Sequence, residues 1–132
     1  MKNIVFDAYP VLVWIKGESG SEKVVSLLEE ARDGKIKSFI CQINLGEVYY
    51  KVIRAKGIEQ AKIFIDTFRL LPVKIITITE DLVWTAAEIK AKFAISYADC
   101  FAVATAIKQD AVILTGDPEF KKVEKIVEIE WL

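Results

Sequence analysis

Four acidic residues, Asp7, Glu47, Asp99 and Asp117, each stand where an apolar stretch gives way to a turn or to the start of a helix. Carboxylates gathered from separate parts of a chain can hold a hard cation and activate water. Two carboxylates about 5 Å apart repel by roughly 3 kcal/mol at an effective dielectric of about 20. Four in one pocket therefore require protonation or a cation. Ligation by carboxylate oxygens and water suits Mg²⁺ or Mn²⁺ rather than Zn²⁺ or Cu²⁺. Such an ion lowers the pKa of bound water and stabilises charge on a phosphoryl oxygen. The sequence contains no histidine, which removes the Ser–His–Asp triad, the Cys–His pair and the HExxH zinc site. Hydrolysis by this chain has to run on carboxylates, a metal or both.

Each acid also has a purely structural reading. Asp7 and Asp117 precede helix starts closely enough to be caps, with Pro118 at the first position after Asp117. Asn44 and Glu47 match a capping box, N-x-x-E, and Asp99 can cap the alanine-rich helix that follows it. Acids in first turns favour the helix dipole by roughly 0.3–1 kcal/mol each. Taken together the caps explain less, because two other helices begin at the uncharged Ser21 and Thr79. The helix after Asp99 is apolar almost all round until Lys108, and a carboxylate on a buried helix needs a partner.

The elements that must position these acids alternate. "KNIVF" reads as a first strand, followed by a short helix over "PVLVWI". "SEKVVSLLEEARDG" reads as a helix opened by Ser21, or by Ser19 before it, and closed by Gly34, with Val24, Val25, Leu27 and Leu28 on one side. "KSFIC" is a second strand, followed by helices from about Asn44 and over "IEQAKIFIDTFRLL". Residues 73–79 form a third strand. Thr79 then caps "EDLVWTAAEIKAKF", and "YADCFAVATAIKQ", "AVILT" and "KIVEIEWL" read as helix, strand and strand. Apolar strands alternating with helices predict an α/β fold, a mostly parallel central sheet with helices on both faces. In such a fold ligands bind at the carboxyl edge of the strands, where all four acids fall.

At 132 residues, 53% apolar and 28% charged, the chain is expected to be one globular domain, residues 1–132. Eighteen basic against nineteen acidic residues leave a formal charge of −1, which argues against nucleic-acid binding through bulk charge alone. Cys41 and Cys100 lack a zinc or redox spacing and read as buried thiols. Asp7 and Pro10 interrupt the apolar N-terminus, and no stretch approaches a membrane span, so a cytoplasmic protein without a membrane partner is expected.

"IVFDAYPVL", "INLGEVYY", "SYADCFAVATA" and "ILTGDPEF", in that order, resemble the PIN-domain ribonucleases, and among them the VapC-type toxins of toxin–antitoxin modules. The resemblance spans nearly the whole chain and implies a three-layer α/β/α PIN-like fold. It implies Mg²⁺- or Mn²⁺-dependent cleavage of RNA phosphodiesters by a homodimer that a cognate antitoxin protein holds inactive. Carried over, Asp7 and Asp99 are the principal metal ligands, and Glu47 and Asp117 complete the cluster. Thr115 and Asn44 match polar positions that support the acids, and Glu119 is a further candidate oxygen donor. Lys51, Arg54 and Lys56 are candidate RNA contacts, and Tyr49, Tyr50 and Trp14 are candidates for stacking on bases. One departure is Ala8, where many relatives carry Ser or Thr and a hydroxyl would help to orient the metal ligands.

Other classes fit less of the chain. A phosphoacceptor receiver domain wants adjacent acids after the first strand, and an aspartyl-nucleophile phosphatase wants an acid where Tyr9 stands. A non-catalytic interaction module with the same fold has little use for a repulsive acid pocket. A nuclease of RNA maturation, or one acting on DNA, remains the alternative within the nuclease class.

Overall fold

The computed structural model describes residues 2–132, so residue 1 of the expected domain lies outside the described residues. β1 (Lys2–Phe6) leads directly into α1 (Ala8–Lys16), and α2 (Ser21–Arg32) returns the chain to β2 (Ile36–Cys41). α3 (Gln42–Lys56) and α4 (Ile58–Phe68) precede β3 (Lys74–Ile76). Then come α5 (Glu80–Lys92), α6 (Tyr97–Gln109), β4 (Val112–Thr115), a 3₁₀ turn (Pro118–Val123) and β5 (Ile129–Trp131).

The strands form one sheet in the order β3-β2-β1-β4-β5, and every neighbouring pair is parallel. Successive strand residues point to opposite faces, and the two faces have separate cores. Val5, Phe39, Cys41 and Ile113 pack against α5, α6 and the 3₁₀ turn. Ile4, Phe6, Ile40 and Leu114 pack against α1 to α4. The result is the expected three-layer α/β/α sandwich, with strands apolar on both faces because both are covered.

The order of strands reverses at β1: β2 and β3 lie to one side, β4 and β5 to the other. The crevice between the carboxyl ends of β1 and β4 is the topological switch point, the usual ligand position in open α/β sheets. Asp7 follows β1 and Asp117 follows β4.

Several local expectations need correction. Ser21 is the first helical residue of α2; Gly20 occupies the cap position at φ 99°, a conformation open to glycine, and no side chain caps that end. Val25 is 40% exposed and faces away from the core that buries Val24, Leu27 and Leu28. β3 and β5 are three residues each, shorter than their apolar patterns suggest, because edge strands pair on one side only. Cys41 and Cys100 are buried free thiols as expected.

Thr79 does cap α5, its hydroxyl accepting from Leu82 N–H at 3.1 Å. Thr79→Ala should therefore cost about 1 kcal/mol, lowering the Tm by about 3–5 °C in thermal unfolding followed by circular dichroism.

Candidate active site

β1 delivers Asp7 to the switch point and α1 starts at the next residue. Its carboxylate is 3% exposed, and the Thr115 hydroxyl donates to Oδ2 at 3.0 Å. That same hydroxyl accepts from Asp117 N–H at 3.1 Å. Thr115, the last residue of β4 and fully buried, thus ties the two acids together across the crevice. Asp117 also caps the 3₁₀ turn, its Oδ1 accepting from Glu119 N–H at 3.0 Å.

Asp99 is not a cap. Ser96 holds that position, its hydroxyl accepting from Asp99 N–H at 3.1 Å. Asp99 lies in the first turn of α6, half-buried, on a helix buried continuously from Cys100 to Ala106. The capping box at Asn44 and Glu47 does not form either. β2 runs into α3 without a loop, so the helix starts at Gln42 with Cys41 at its cap and no acid in its first turn. Asn44 is fully buried instead. Its Nδ2 donates to Glu47 Oε1 at 3.2 Å and to Ala98 O at 3.1 Å. The amide thereby bridges Glu47 on α3 to the residue before Asp99 on α6.

These four acids come from four segments and feel one another. Burial pushes the Asp7 carboxyl up to about 7, with the Asp99 charge adding to it and Glu47 adding less; hydrogen bonds from Ala8 N–H and Thr115 oppose the rise. Burial raises Asp99 to about 6, opposed by Ser96 and reinforced by the charges of Asp117, Glu47 and Glu119. Among the described residues, no Lys or Arg forms an ion pair with any of the four. The donor set is all oxygen, which fits a hard divalent cation. Asn44 Oδ1, a buried acceptor with no protein partner, is a further unsatisfied oxygen beside the acids. Among the described residues, however, no three His, Cys, Asp or Glu side chains converge closely enough to hold an ion as they stand.

The supporting candidates separate. Thr115 and Asn44 bond directly to acids of the cluster. Glu119 is exposed and paired with Lys122 at 2.7 Å, and it reaches the cluster through its charge on Asp99. Lys51 and Lys56 line a groove of about 200 Å³ between α1 and α3 together with Lys16, a lysine that the sequence pattern did not single out. Arg54 turns aside, its guanidinium 4.9 Å above the Tyr50 ring, and Tyr49 and Trp14 pack against the core. A groove of about 630 Å³ lies elsewhere, between α3, α4 and β3, and none of the four acids lines it.

Tyr9 was missed as a site candidate. It is 42% exposed, two residues after Asp7, and its ring lies over Gly116. A Cβ on Gly116 would overlap Tyr9 Cε1 and stand 2.8 Å and 2.9 Å from Cζ and Cδ1. Nothing local signals this pairing, because the two residues are more than a hundred positions apart in the chain.

Residues 4–126 match the family model for the PIN domain. The chain belongs to the PIN domain family. Solved structures with the same fold include VapBC2 from Rickettsia felis bound to a promoter DNA fragment, at 20% identity and TM-score 0.77 over 98% of both chains. DNA-bound VapBC from Salmonella typhimurium matches at 16% identity and TM-score 0.77, again over 98% of both. VapC20 from Mycobacterium tuberculosis, a toxin that cleaves the sarcin–ricin loop, matches at 18% identity and TM-score 0.74 over 96% of this chain and 98% of that one. A comparison with curated protein sequences gives no match. Within this PIN domain Asp7 and Asp117 stand at the switch-point crevice between β1 and β4, and the charges of Asp99 and Glu47 act on Asp7 there. No helix among the described residues is long and apolar enough to cross a membrane.

Proposed function

We propose that this PIN domain is a divalent-metal-dependent endoribonuclease, the toxin of a toxin–antitoxin pair. The observation that carries the reading is that four acids from four segments act on one another's ionisation, with no cationic side chain among the described residues paired to any of them. A scaffold gains nothing from such repulsion, whereas a site for Mg²⁺ or Mn²⁺ uses it. The bound ion would supply a water of lowered pKa and stabilise charge on the phosphoryl oxygen.

The residues divide the remaining work. Asp7 and Asp99 are the principal ligands, Asp7 held rigidly by Thr115. Glu47 and Asp117 each keep one carboxylate oxygen bonded by the protein, through Asn44 Nδ2 and Glu119 N–H. Their second oxygens are left to complete the ligand set or to orient the attacking water. Lys51 and Lys56, with Lys16, give the RNA backbone a local positive groove, so the balanced net charge is no obstacle. Ile58, Ile63 and Leu70 are exposed on and after α4, near the groove bounded by Leu45, Tyr49, Ile65 and Ile75. They offer apolar surface to a protein partner, an antitoxin or a second copy. The VapBC complexes of the same fold support the antitoxin, and the cleaving activity of VapC20 supports RNA as substrate.

Removal of the metal is the test. Purified protein freed of any partner is expected to cleave a mixture of structured and single-stranded RNAs in Mn²⁺ or Mg²⁺, with no cleavage after chelation and full recovery when the ion is restored. Cleavage that persists through chelation would overturn the metal-dependent reading. No cleavage under any ion, together with tight capture of a protein partner, would make the fold an interaction module.

A further inference from the structure

We infer that Tyr9 is the platform on which an unpaired base of the RNA stacks beside the bond that is cut. The inference rests on the nuclease reading of the acid cluster and adds to it a residue that sets which strands are accepted. Three observations carry it. Tyr9 sits two residues after the buried Asp7, at the first turn of α1. Its ring packs over Gly116, in the turn between Thr115 and Asp117, so closely that a side chain on residue 116 would force the ring to shift. With 42% of its surface open, the ring is not sealed into the core.

A large apolar ring held at the mouth of an acid pocket is poorly used as packing, since nearly half of it stays in water. It is well used as a stacking surface, because every base has a π-face and a tyrosine ring has only two side-chain torsions to order on binding. The acids repel phosphates except where a cation intervenes, so the free energy that holds the strand must come from outside the cluster. Stacking on Tyr9 supplies part of it for unpaired bases alone, because bases in a duplex are already stacked. The occupant is therefore single-stranded or looped RNA. Of the other two strongly exposed tyrosines, Tyr50 has its face covered by Arg54, and Tyr97 packs edge-on with Phe101 at a centroid distance of 5.1 Å.

The test uses short single-stranded RNAs carrying 2-aminopurine at one position at a time, read for fluorescence quenching before turnover and for cleavage afterwards. Wild type and Tyr9→Phe should quench one position next to the cleaved bond, and Tyr9→Leu should not. Tyr9→Leu should raise KM about tenfold, equivalent to ~1.4 kcal/mol and within the range for one stacked base, with kcat changed less than about twofold. Gly116→Ala should raise KM in the same direction by dislodging the ring, and the double variant should add nothing further. Quenching that survives in Tyr9→Leu, or is lost equally in Tyr9→Phe, would overturn the inference, as would wild-type protein that quenches at no position. Cleavage without Tyr9-dependent quenching would sink this inference and leave the nuclease reading standing. Tyr9-dependent quenching without cleavage would overturn the nuclease reading and with it the place of Tyr9 beside a cut bond, leaving a base-stacking contact alone.

Discussion

Asp99→Asn is expected to lower metal-dependent RNA cleavage by about 10³-fold while leaving the fold intact. A metal ligand contributes several kcal/mol of charge stabilisation, and each 1.36 kcal/mol is a decade in rate. Folding should be spared because the part of Asp99 that caps nothing is the part removed. Its backbone N–H still donates to Ser96 Oγ, the asparagine is nearly isosteric, and one charge leaves a cluster whose members repel. Single-turnover cleavage with identically purified proteins, alongside thermal unfolding, measures both effects. Undiminished cleavage in the variant would remove Asp99 from the site and point to a contaminating nuclease.

Asp7→Asn should separate activity from stability. Burial first, and the charges of Asp99 and Glu47 after it, raise the Asp7 pKa from an ordinary 3.8 to about 7. A carboxyl whose folded pKa lies above its unfolded value contributes stability that is fully present below about pH 4 and is lost as pH rises through about 7. Asp99, raised to about 6, acts in the same direction. The metal-free protein should therefore melt at progressively lower temperature from pH 5 to pH 8, and a divalent cation should recover the loss most strongly at the upper end, where the acids are ionised. Asn at position 7 keeps an acceptor for the Thr115 hydroxyl and has no charge to bury. At pH 8 without metal it should stabilise the protein by about 2–4 kcal/mol, from a shift of roughly three decades discounted for local hydration. That corresponds to a Tm higher by about 6–20 °C. Its cleavage activity should be lost and its response to added metal much reduced. A Tm for Asp7→Asn at or below wild type at pH 8 would mean that Asp7 is already neutralised within the fold.

The two experiments exploit one property of the crevice. On the proposed function, catalysis would require ionised carboxylates in a place where the fold makes ionisation costly, and a cation would resolve the conflict. The same logic accounts for Thr115 and Asn44. A buried hydroxyl and a buried amide that point at carboxylates keep those groups oriented when mutual repulsion would turn them away.

Much of this was legible before folding. Period-two and period-3.6 apolar patterns are local, so the alternation of strands and helices, the parallel sheet and the cap at Thr79 could be read from neighbouring residues. The proposed chemistry starts there too: the lack of histidine and the four acids after apolar runs leave carboxylates, a metal or both to activate water. What could not be read was anything set by contact between distant segments. Ser21, Asn44 and Asp99 have the right type for caps, yet the backbone starts the helices elsewhere, because Gly20 turns the chain and β2 enters α3 without a loop. Thr115 bridges Asp7 and Asp117 only because β4 lies beside β1 in the sheet, and strand order leaves no local trace in sequence. Tyr9 depends on the same adjacency. The side-chain types and their place at strand ends came from the chain itself; which of them meet, and which become buried and shifted in pKa, was decided by the order of strands around the switch point.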